Sequence, residues 1–313
     1  MPEVDLSIVA TMYKSEDFIP EFVRRIEASI ADLGVSNYEI ILVDDGCPGR
    51  SLEAAKQVQA NGSKIRIVQL SRNFGHHKAI ITGLSYARGE RVFVIDVDLE
   101  EPPESLLDFW REMDTSEADI VYGVQPARKG WFIERFSGTL FYNILDLIAG
   151  VTIPHNALIA KLMTREFTAS LVEHRDRSPF LGGLVVLTGY KQVAITVQKG
   201  NKGSTTYTLK RKVVQALNSV VNFSTVPLNI ISVFGFFIFI FGLSFTVYLV
   251  TQRLLGISSL PGWTSVIASL YLVGGLIILM LGILGIYVAQ LFDEVRHRPY
   301  TIVQKVLEHE KDV

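Results

Sequence analysis

Two acidic residues two positions apart, Asp96 and Asp98, carry the strongest chemical signal in the chain. They close an apolar run, Arg91-Val92-Phe93-Val94-Ile95, and are followed by Leu99-Glu100-Glu101-Pro102-Pro103-Glu104. Along extended backbone, residues two apart project to the same side, so both carboxylates can face one cation. Carboxylate oxygens suit Mg2+ or Mn2+, which bind through one or two carboxylates and take up substrate phosphates as further ligands. A dication held there would bridge a diphosphate and neutralise the charge that builds as it leaves. An Asp-x-Asp pair is common by chance, and its bland reading is a solvated strand end. Its place after a buried strand makes Asp96 and Asp98 the candidate metal site.

Two other segments offer groups for a nucleotide. Asp44 and Asp45 end the run Tyr38-Glu39-Ile40-Ile41-Leu42-Val43. Either one of them hydrogen-bonds a base or ribose, or the pair belongs to a turn or a helix N-cap. Ser71-Arg72-Asn73-Phe74-Gly75-His76-His77-Lys78 follows Ile65–Leu70 and places Arg72 and Lys78 near a diphosphate. His76 and His77 are not read as a metal pair, because adjacent side chains point apart on regular secondary structure.

These groups need a scaffold, and the spacing of apolar residues supplies one. Leu6–Ala10, Tyr38–Val43, Ile65–Leu70 and Arg91–Ile95 read as short buried strands. Between them, helices are expected over about 18–33, 51–60 and 77–87, with Gly89 placed to end the last. Alternation of near-continuous apolar strands with helices implies an α/β fold whose mostly parallel sheet is covered on both faces. Ligands in such sheets gather beyond the carboxyl ends of the strands, where the acidic residues fall.

The rest of the chain has a different composition. Of 313 residues, 49% are hydrophobic, yet most of the charge lies before Lys212. Apolar runs over 227–250 and about 263–291 are each long enough to cross a hydrocarbon core of roughly 30 Å as a helix. A pair of buried core helices is the bland alternative, disfavoured because uncharged stretches of this length are rare in soluble folds. Lys199, Lys202, Lys210, Arg211 and Lys212 precede the first run, Arg296, Arg298 and Lys305 follow the second, and the connecting loop holds only Arg253. By the positive-inside rule, both termini and the N-terminal domain are expected to be cytoplasmic. Two stretches, about 131–149 with Trp131, Phe136 and Leu140, and 207–223 with Leu209, Val213 and Leu217, have the pattern of helices lying along a membrane surface. Packing of each onto its own domain is the alternative. The expected organisation is therefore a catalytic domain at 1–225, two transmembrane helices at 226–292 and a tail at 293–313. Two-span proteins commonly self-associate, so a homo-oligomer is expected.

Bulk properties exclude other classes. A net charge of −2 argues against a nucleic-acid binder. A lone cysteine, Cys47, precludes an intrachain disulfide and fits a reducing compartment. Glu3 and Asp5 ahead of a short apolar run read as the start of a strand rather than a signal peptide. Neither span holds a charge that would mark a transport pathway.

Residues 6 to about 230 resemble glycosyltransferase family 2, in its polyisoprenyl-phosphate glycosyltransferase branch. The resemblance rests on Val43-Asp44-Asp45-Gly46, Leu70-Ser71-Arg72-Asn73-Phe74-Gly75, Asp96-Val97-Asp98-Leu99 with Pro102-Pro103, and Asn222-Phe223-Ser224 before Pro227-Leu228. It implies a GT-A nucleotide-sugar-binding domain and a metal-dependent, inverting hexosyl transfer from a nucleotide-diphospho-sugar to a polyprenyl phosphate. The expected setting is a bacterial inner membrane, with UDP-glucose the donor the family favours. It also implies that Asp44 contacts the base, that Asp96 and Asp98 bind the metal-diphosphate, and that Arg128, Lys129 and Arg135 meet the acceptor phosphate. Where the family has Pro-x-Tyr-Asn-Glu, this chain reads Thr11-Met12-Tyr13-Lys14-Ser15-Glu16, so Tyr13 and Glu16 carry over as nucleotide-sugar contacts.

A second departure touches catalysis. Many members have an Asp-Phe-Arg-Leu segment whose Asp is a candidate catalytic group. Here Ile159 falls at the Asp and Lys161 at the Arg, and the nearest polar substitutes are His155 and Asn156. Two rivals stay open: a catalytically inactive nucleotide-sugar-binding membrane subunit, and a processive polysaccharide synthase. The latter normally shows a Gln-x-x-Arg-Trp segment and more spans.

Overall fold

Side-chain alternation along the first apolar run sets the architecture. Leu6, Ile8, Ala10 and Met12 pack into one hydrophobic cluster, while Val9 packs into a second on the opposite face. The computed structural model describes residues 4–125, 157–174, 184–185, 188–198, 262–295 and 299–308, with short runs and single positions between 233 and 255.

In chain order the elements are β1 (Val4–Met12), α1 (Ile19–Asp32), β2 (Tyr38–Asp44), α2 (Ser51–Ala60), β3 (Ile65–Leu70), α3 (His76–Ser85), β4 (Gly89–Asp96), α4 (Ser105–Ser116) and β5 (Ile120–Val124). They continue with β6 (Ala157–Thr164), α5 (Arg165–Glu173), β7 (Gln192–Thr196), α6 (Trp263–Val295) and β8 (Val303–Leu307). The eight strands form one sheet in the order β7-β5-β6-β4-β1-β2-β3-β8. β3, β2, β1 and β4 run parallel to one another, as the alternation of apolar runs predicts. β6 enters antiparallel between β4 and β5, so the sheet is mostly rather than wholly parallel.

Helices cover both faces. The first cluster gathers Phe22, Ile26 and Ile30 of α1 and Leu106, Phe109 and Met113 of α4. The second gathers Ala79, Ile80, Ile81 and Leu84 of α3 with Phe167 and Leu171 of α5. α3 lies tight on the sheet: a Cβ on Gly83 would stand 2.5 Å from Val9 Cγ1 and 2.8 Å from Val43 Cγ2. That approach fixes where the first turn of α3 arrives, beside the ends of β1 and β4.

The last strand corrects the expectation of a tail at 293–313. β8 pairs antiparallel with β3, from Ile67↔Leu307 to Leu70↔Val303. Five residues with two polar positions give no periodicity to read; what orders them is the otherwise open edge of β3. Arg66 secures this edge from a buried position, with Nη1 3.1 Å from Glu39 Oε2 and Nε 2.7 Å from Glu308 Oε2.

The chain divides into two compact units, Met1–Leu209 with Arg298–Val313, and Lys210–His297. Within the second, α6 runs for 33 residues and reaches its first charge at Asp293. Residues 233–238 are helical, and a Cβ on Gly235 would lie 3.4 Å from Met280 Cε of α6. Among the described residues, taken alone, no helix is long and apolar enough to cross a membrane. The expectation of two spans therefore rests on the sequence. The expected surface helices at 131–149 and 207–223 lie outside the described residues.

Candidate active site

Four parallel strands end at one edge of the sheet, and the expected site residues follow those ends. Phe93, Ile95 and Val97 fill the first hydrophobic cluster, while Val92 and Val94 fill the second. Asp96 continues the second series at the end of β4, and Asp98 follows it past Val97. Val97 is buried whereas Asp96 and Asp98 are both half-buried. Asp96 closes β4 itself, whereas Asp98 lies in the turn that follows.

Asp96 is held by its neighbours. Thr11 pairs with it across the β1–β4 ladder, and the Thr11 hydroxyl donates to Asp96 Oδ1 at 3.2 Å. His76, the first residue of α3, places Nε2 3.6 Å from Asp96 Oδ2 and Nδ1 3.1 Å from Thr11 Oγ1. Asp98 Oδ1 accepts the backbone N–H of Glu100 at 3.1 Å, and Leu99 between them takes the left-handed conformation at φ 59°. The two histidine rings lie tilted against each other with centroids 5.6 Å apart, His76 exposed and His77 half-buried. Burial, then the charges of His76 and Lys161, lowers the His77 pKa to about 4, so its ring is neutral at pH 7.

Asp44 and Asp45 are 2% and 3% exposed. Asp44 Oδ1 accepts the Cys47 N–H at 3.1 Å. Asp45 clamps two loops together, Oδ1 accepting from Phe74 N at 2.7 Å and Oδ2 from Gly75 N at 3.0 Å. Burial raises the pKa of both, and the backbone N–H bonds oppose it. The local turn contact is thus made by Asp44, while Asp45 ties its loop to the one after β3. Gly46 makes the clamp possible: its φ is +58°, and a Cβ there would meet Arg72 C at 2.2 Å.

Beyond β1, Tyr13 is 44% exposed. Glu16 Oε2 accepts the Ser51 hydroxyl at 3.0 Å, and Ser51 Oγ accepts the Ser15 N–H at 2.8 Å. Glu16 therefore ties the first loop to the start of α2. Beyond β3, Arg72 is exposed and lies 4.2 Å above the Phe74 ring, and Lys78 sits half-buried in the first turn of α3.

Sequence reasoning gave no site role to Thr11, weighed His76 only as half of a rejected metal pair, and gave no role to Glu101 and Lys161. Glu101, 3% exposed, accepts from Ile159 N at 3.1 Å and Ala160 N at 2.6 Å. Burial raises its pKa, with a smaller push from Asp96. Lys161 is fully enclosed; burial lowers its pKa to about 8, against the pull of Glu101 and Asp96. The acidic stretch before Pro102-Pro103 and the Lys in place of Arg were the signals. Ile159, where the resemblance puts an Asp, packs against the second hydrophobic cluster. His155, Asn156, Arg128, Lys129 and Arg135 lie outside the described residues.

Among the described residues, no group of three or more His, Cys, Asp or Glu side chains is placed to hold a metal ion. Asp96 and Asp98 still fit Mg2+ or Mn2+, which accept two carboxylates and complete their coordination with water and phosphate oxygens.

The sequence pattern of Glycosyl transferase family 2 matches residues 7–168, from β1 into α5, and so takes in every group described above. The chain belongs to glycosyl transferase family 2. It is 42% identical over 301 residues to a protein of Mycobacterium tuberculosis described as "Putative glycosyltransferases", across 96% of this chain and 88% of that one. It is 28% identical to the undecaprenyl-phosphate 4-deoxy-4-formamido-L-arabinose transferase of Klebsiella pneumoniae, across 98% and 94% of the two chains. Among solved structures, it is similar to glucosyl-3-phosphoglycerate synthase from Mycobacterium tuberculosis, with a TM-score of 0.46 and 16% identity over 70% of this chain and 78% of that one. In this family 2 glycosyltransferase β1, β2 and β4 carry Thr11, Asp44 and Asp96 at one edge of the sheet, and Arg72 follows β3.

Proposed function

We propose that the protein transfers a sugar, with inversion, from a nucleotide-diphospho-sugar to a polyisoprenyl phosphate at the cytoplasmic face of a membrane. The observation that carries the reading is two half-buried carboxylates where β4 ends, Asp96 at its last position and Asp98 in the turn beyond, with Val97 between them in the core. The acceptor class is drawn from the undecaprenyl-phosphate transferase that aligns over nearly the whole chain.

In this reading Asp44 meets the base, Tyr13 and Glu16 border the nucleotide, and Arg72 and Lys78 face the diphosphate. Asp96 and Asp98 hold Mg2+ or Mn2+, which when bound offsets charge on the diphosphate. The acceptor phosphate monoester has a second pKa near ~6, so at neutral pH it is mostly a dianion. One of its oxygens forms the new bond to the anomeric carbon as the bond to the nucleoside diphosphate breaks. No proton has to be removed, so the absence of a carboxylate at Ile159 does not stop the reaction. Positioning and charge stabilisation are what the protein supplies. Arg128, Lys129 and Arg135 are proposed for the lipid phosphate, and His155 and Asn156 for the sugar.

We read 227–250 and 263–291 as a pair of membrane spans. Leu270, Leu281 and Leu291 of α6 are 71%, 60% and 65% exposed, which suits lipid and is unfavourable in water. Both ends of the unit 210–297 connect to the unit that holds the sheet. Any crossings between them must therefore come in an even number.

The test is a panel of radiolabelled nucleotide-sugars, UDP-glucose first, offered with polyprenyl phosphate and Mg2+ or Mn2+; label entering the lipid phase supports the reading. One observation favours a second reading: Ile159 lies in an apolar cluster where the resemblance puts a carboxylate. A nucleotide-sugar-binding subunit without turnover would bind donor yet label no lipid with any member of the panel.

A further inference from the structure

The floor beneath Asp96 contains a buried charge that the reaction above does not use. Lys161 stands in β6 opposite Val94 of β4 and Tyr122 of β5 and is 4% exposed. Its Nζ donates to the carbonyl oxygen of Leu158 and, at 3.4 Å, to that of Ile159. Val94↔Lys161 is the last pair of the β4–β6 ladder, two residues before β4 ends at Asp96. The N–H groups of Ile159 and Ala160 lie just past that point, and Glu101 takes both. Glu101 therefore stands in for the missing strand, and the Lys161 ammonium answers its charge.

An ammonium in the interior is expensive, and an apolar side chain at 161 paired with a neutral acceptor at 101 would suit the fold as well or better. What such a neutral pair would lack is a positive charge near Asp96, which stands two residues along β4 from Val94, the ladder partner of Lys161. His77 supplies no such charge at neutral pH, its pKa being about 4.

We propose that Lys161 is a positioning residue that weakens the hold of Asp96 and Asp98 on a divalent cation, so that the cation binds well only together with the diphosphate of the donor. The inference rests on reading Asp96 and Asp98 as the metal-holding pair. Lys161 and Glu101 set the local charge, Glu101 pins the mouth of β6, and neither touches the donor.

Mn2+ binding to the full-length protein in detergent, read by electron paramagnetic resonance at pH 7 without nucleotide, tests this. Lys161→Met should bind Mn2+ about tenfold more tightly, because a fixed positive charge has been removed. Lys161→Arg should match the wild type. A merely structural role predicts the opposite for Lys161→Met, unchanged or weaker binding, and that result overturns the proposal. Should Lys161→Met fail to fold, Glu101→Gln decides. It keeps an acceptor while deleting the opposing charge, so Mn2+ should bind severalfold more weakly; unchanged or tighter binding overturns the proposal. If the wild type binds no Mn2+ even with UDP present, the metal-holding role of Asp96 and Asp98 falls, and this inference with it. If the wild type binds and the variants do not shift, only the inference falls.

Discussion

Thr11 and Asp96 face each other across the β1–β4 ladder, and the Thr11 hydroxyl reaches Asp96 Oδ1 at 3.2 Å. A hydrogen bond to a charged group contributes about 1.5–3 kcal/mol, and here it fixes the orientation of a carboxylate at the proposed reaction centre. Thr11→Val keeps the branched shape that a strand favours and removes the donor. Sugar transfer should fall about tenfold, with folding stability reduced by ~1 kcal/mol or less, because Asp96 is not deeply buried. Steady-state transfer kinetics and urea unfolding on the same preparation check both halves. An undiminished rate would show that Asp96 needs no such support.

Asp98→Asn keeps shape and removes charge. If Asp98 holds the dication, transfer should drop about 100-fold, and added Mn2+ should restore part of it by mass action. Chelation of the wild type with EDTA should abolish transfer, and Mg2+ or Mn2+ should bring it back. A wild-type rate that survives EDTA would rule out metal dependence.

The ends of β1 to β4 were legible because strand alternation is local: Ile95 and Val97 on one side and Asp96 on the other follow from a period of two. His76 was not. Its role depends on α3 settling close enough over Gly83 to bring its first residue to Asp96, which is tertiary packing. Glu101 and Lys161 meet through β6, a strand inserted antiparallel 60 residues after the acid it shields, counted from Glu101 to Lys161. β8 was invisible for a similar reason, since its partner β3 lies far back in the chain. The loss of the carboxylate at Ile159 was readable directly, and its apolar surroundings fit the residue present.

His77 should mark the acid side of the stability profile. Its folded pKa, about 4, lies below the ordinary value of 6.5. The unfolded chain therefore binds more protons between those values, and stability is full above pH ~6.5 and is lost as pH falls toward 4. Discounted for partial exposure, the loss assigned to His77 is about 2 kcal/mol. His77→Gln should lose less than the wild type over the same window, measured by urea unfolding at pH 7 and pH 4.5. Asp44, Asp45 and Glu101, whose pKa values are raised, act in the opposite direction in both proteins and cancel in the difference. Equal losses in the two proteins would remove His77 from the account.

Arg66 separates a buried ion pair from a surface one within a single side chain. Its guanidinium lies 3.1 Å from Glu39 Oε2 on the inside and 2.7 Å from Glu308 Oε2 at the sheet edge, and it donates to the Tyr86 carbonyl at 2.9 Å. Glu39 Oε1 in turn accepts from the Ser7 hydroxyl at 2.6 Å and from Arg88 N at 2.8 Å. Arg66→Met fills much the same volume but strands the Glu39 charge in the interior, so it should cost about 3–5 kcal/mol. Glu308→Gln touches the half-exposed end and should cost less than ~1 kcal/mol, because water screens that pair. Urea unfolding of the two variants measures the contrast. Equal costs would mean that the C-terminal strand, rather than the charge buried beneath it, secures this edge of the sheet.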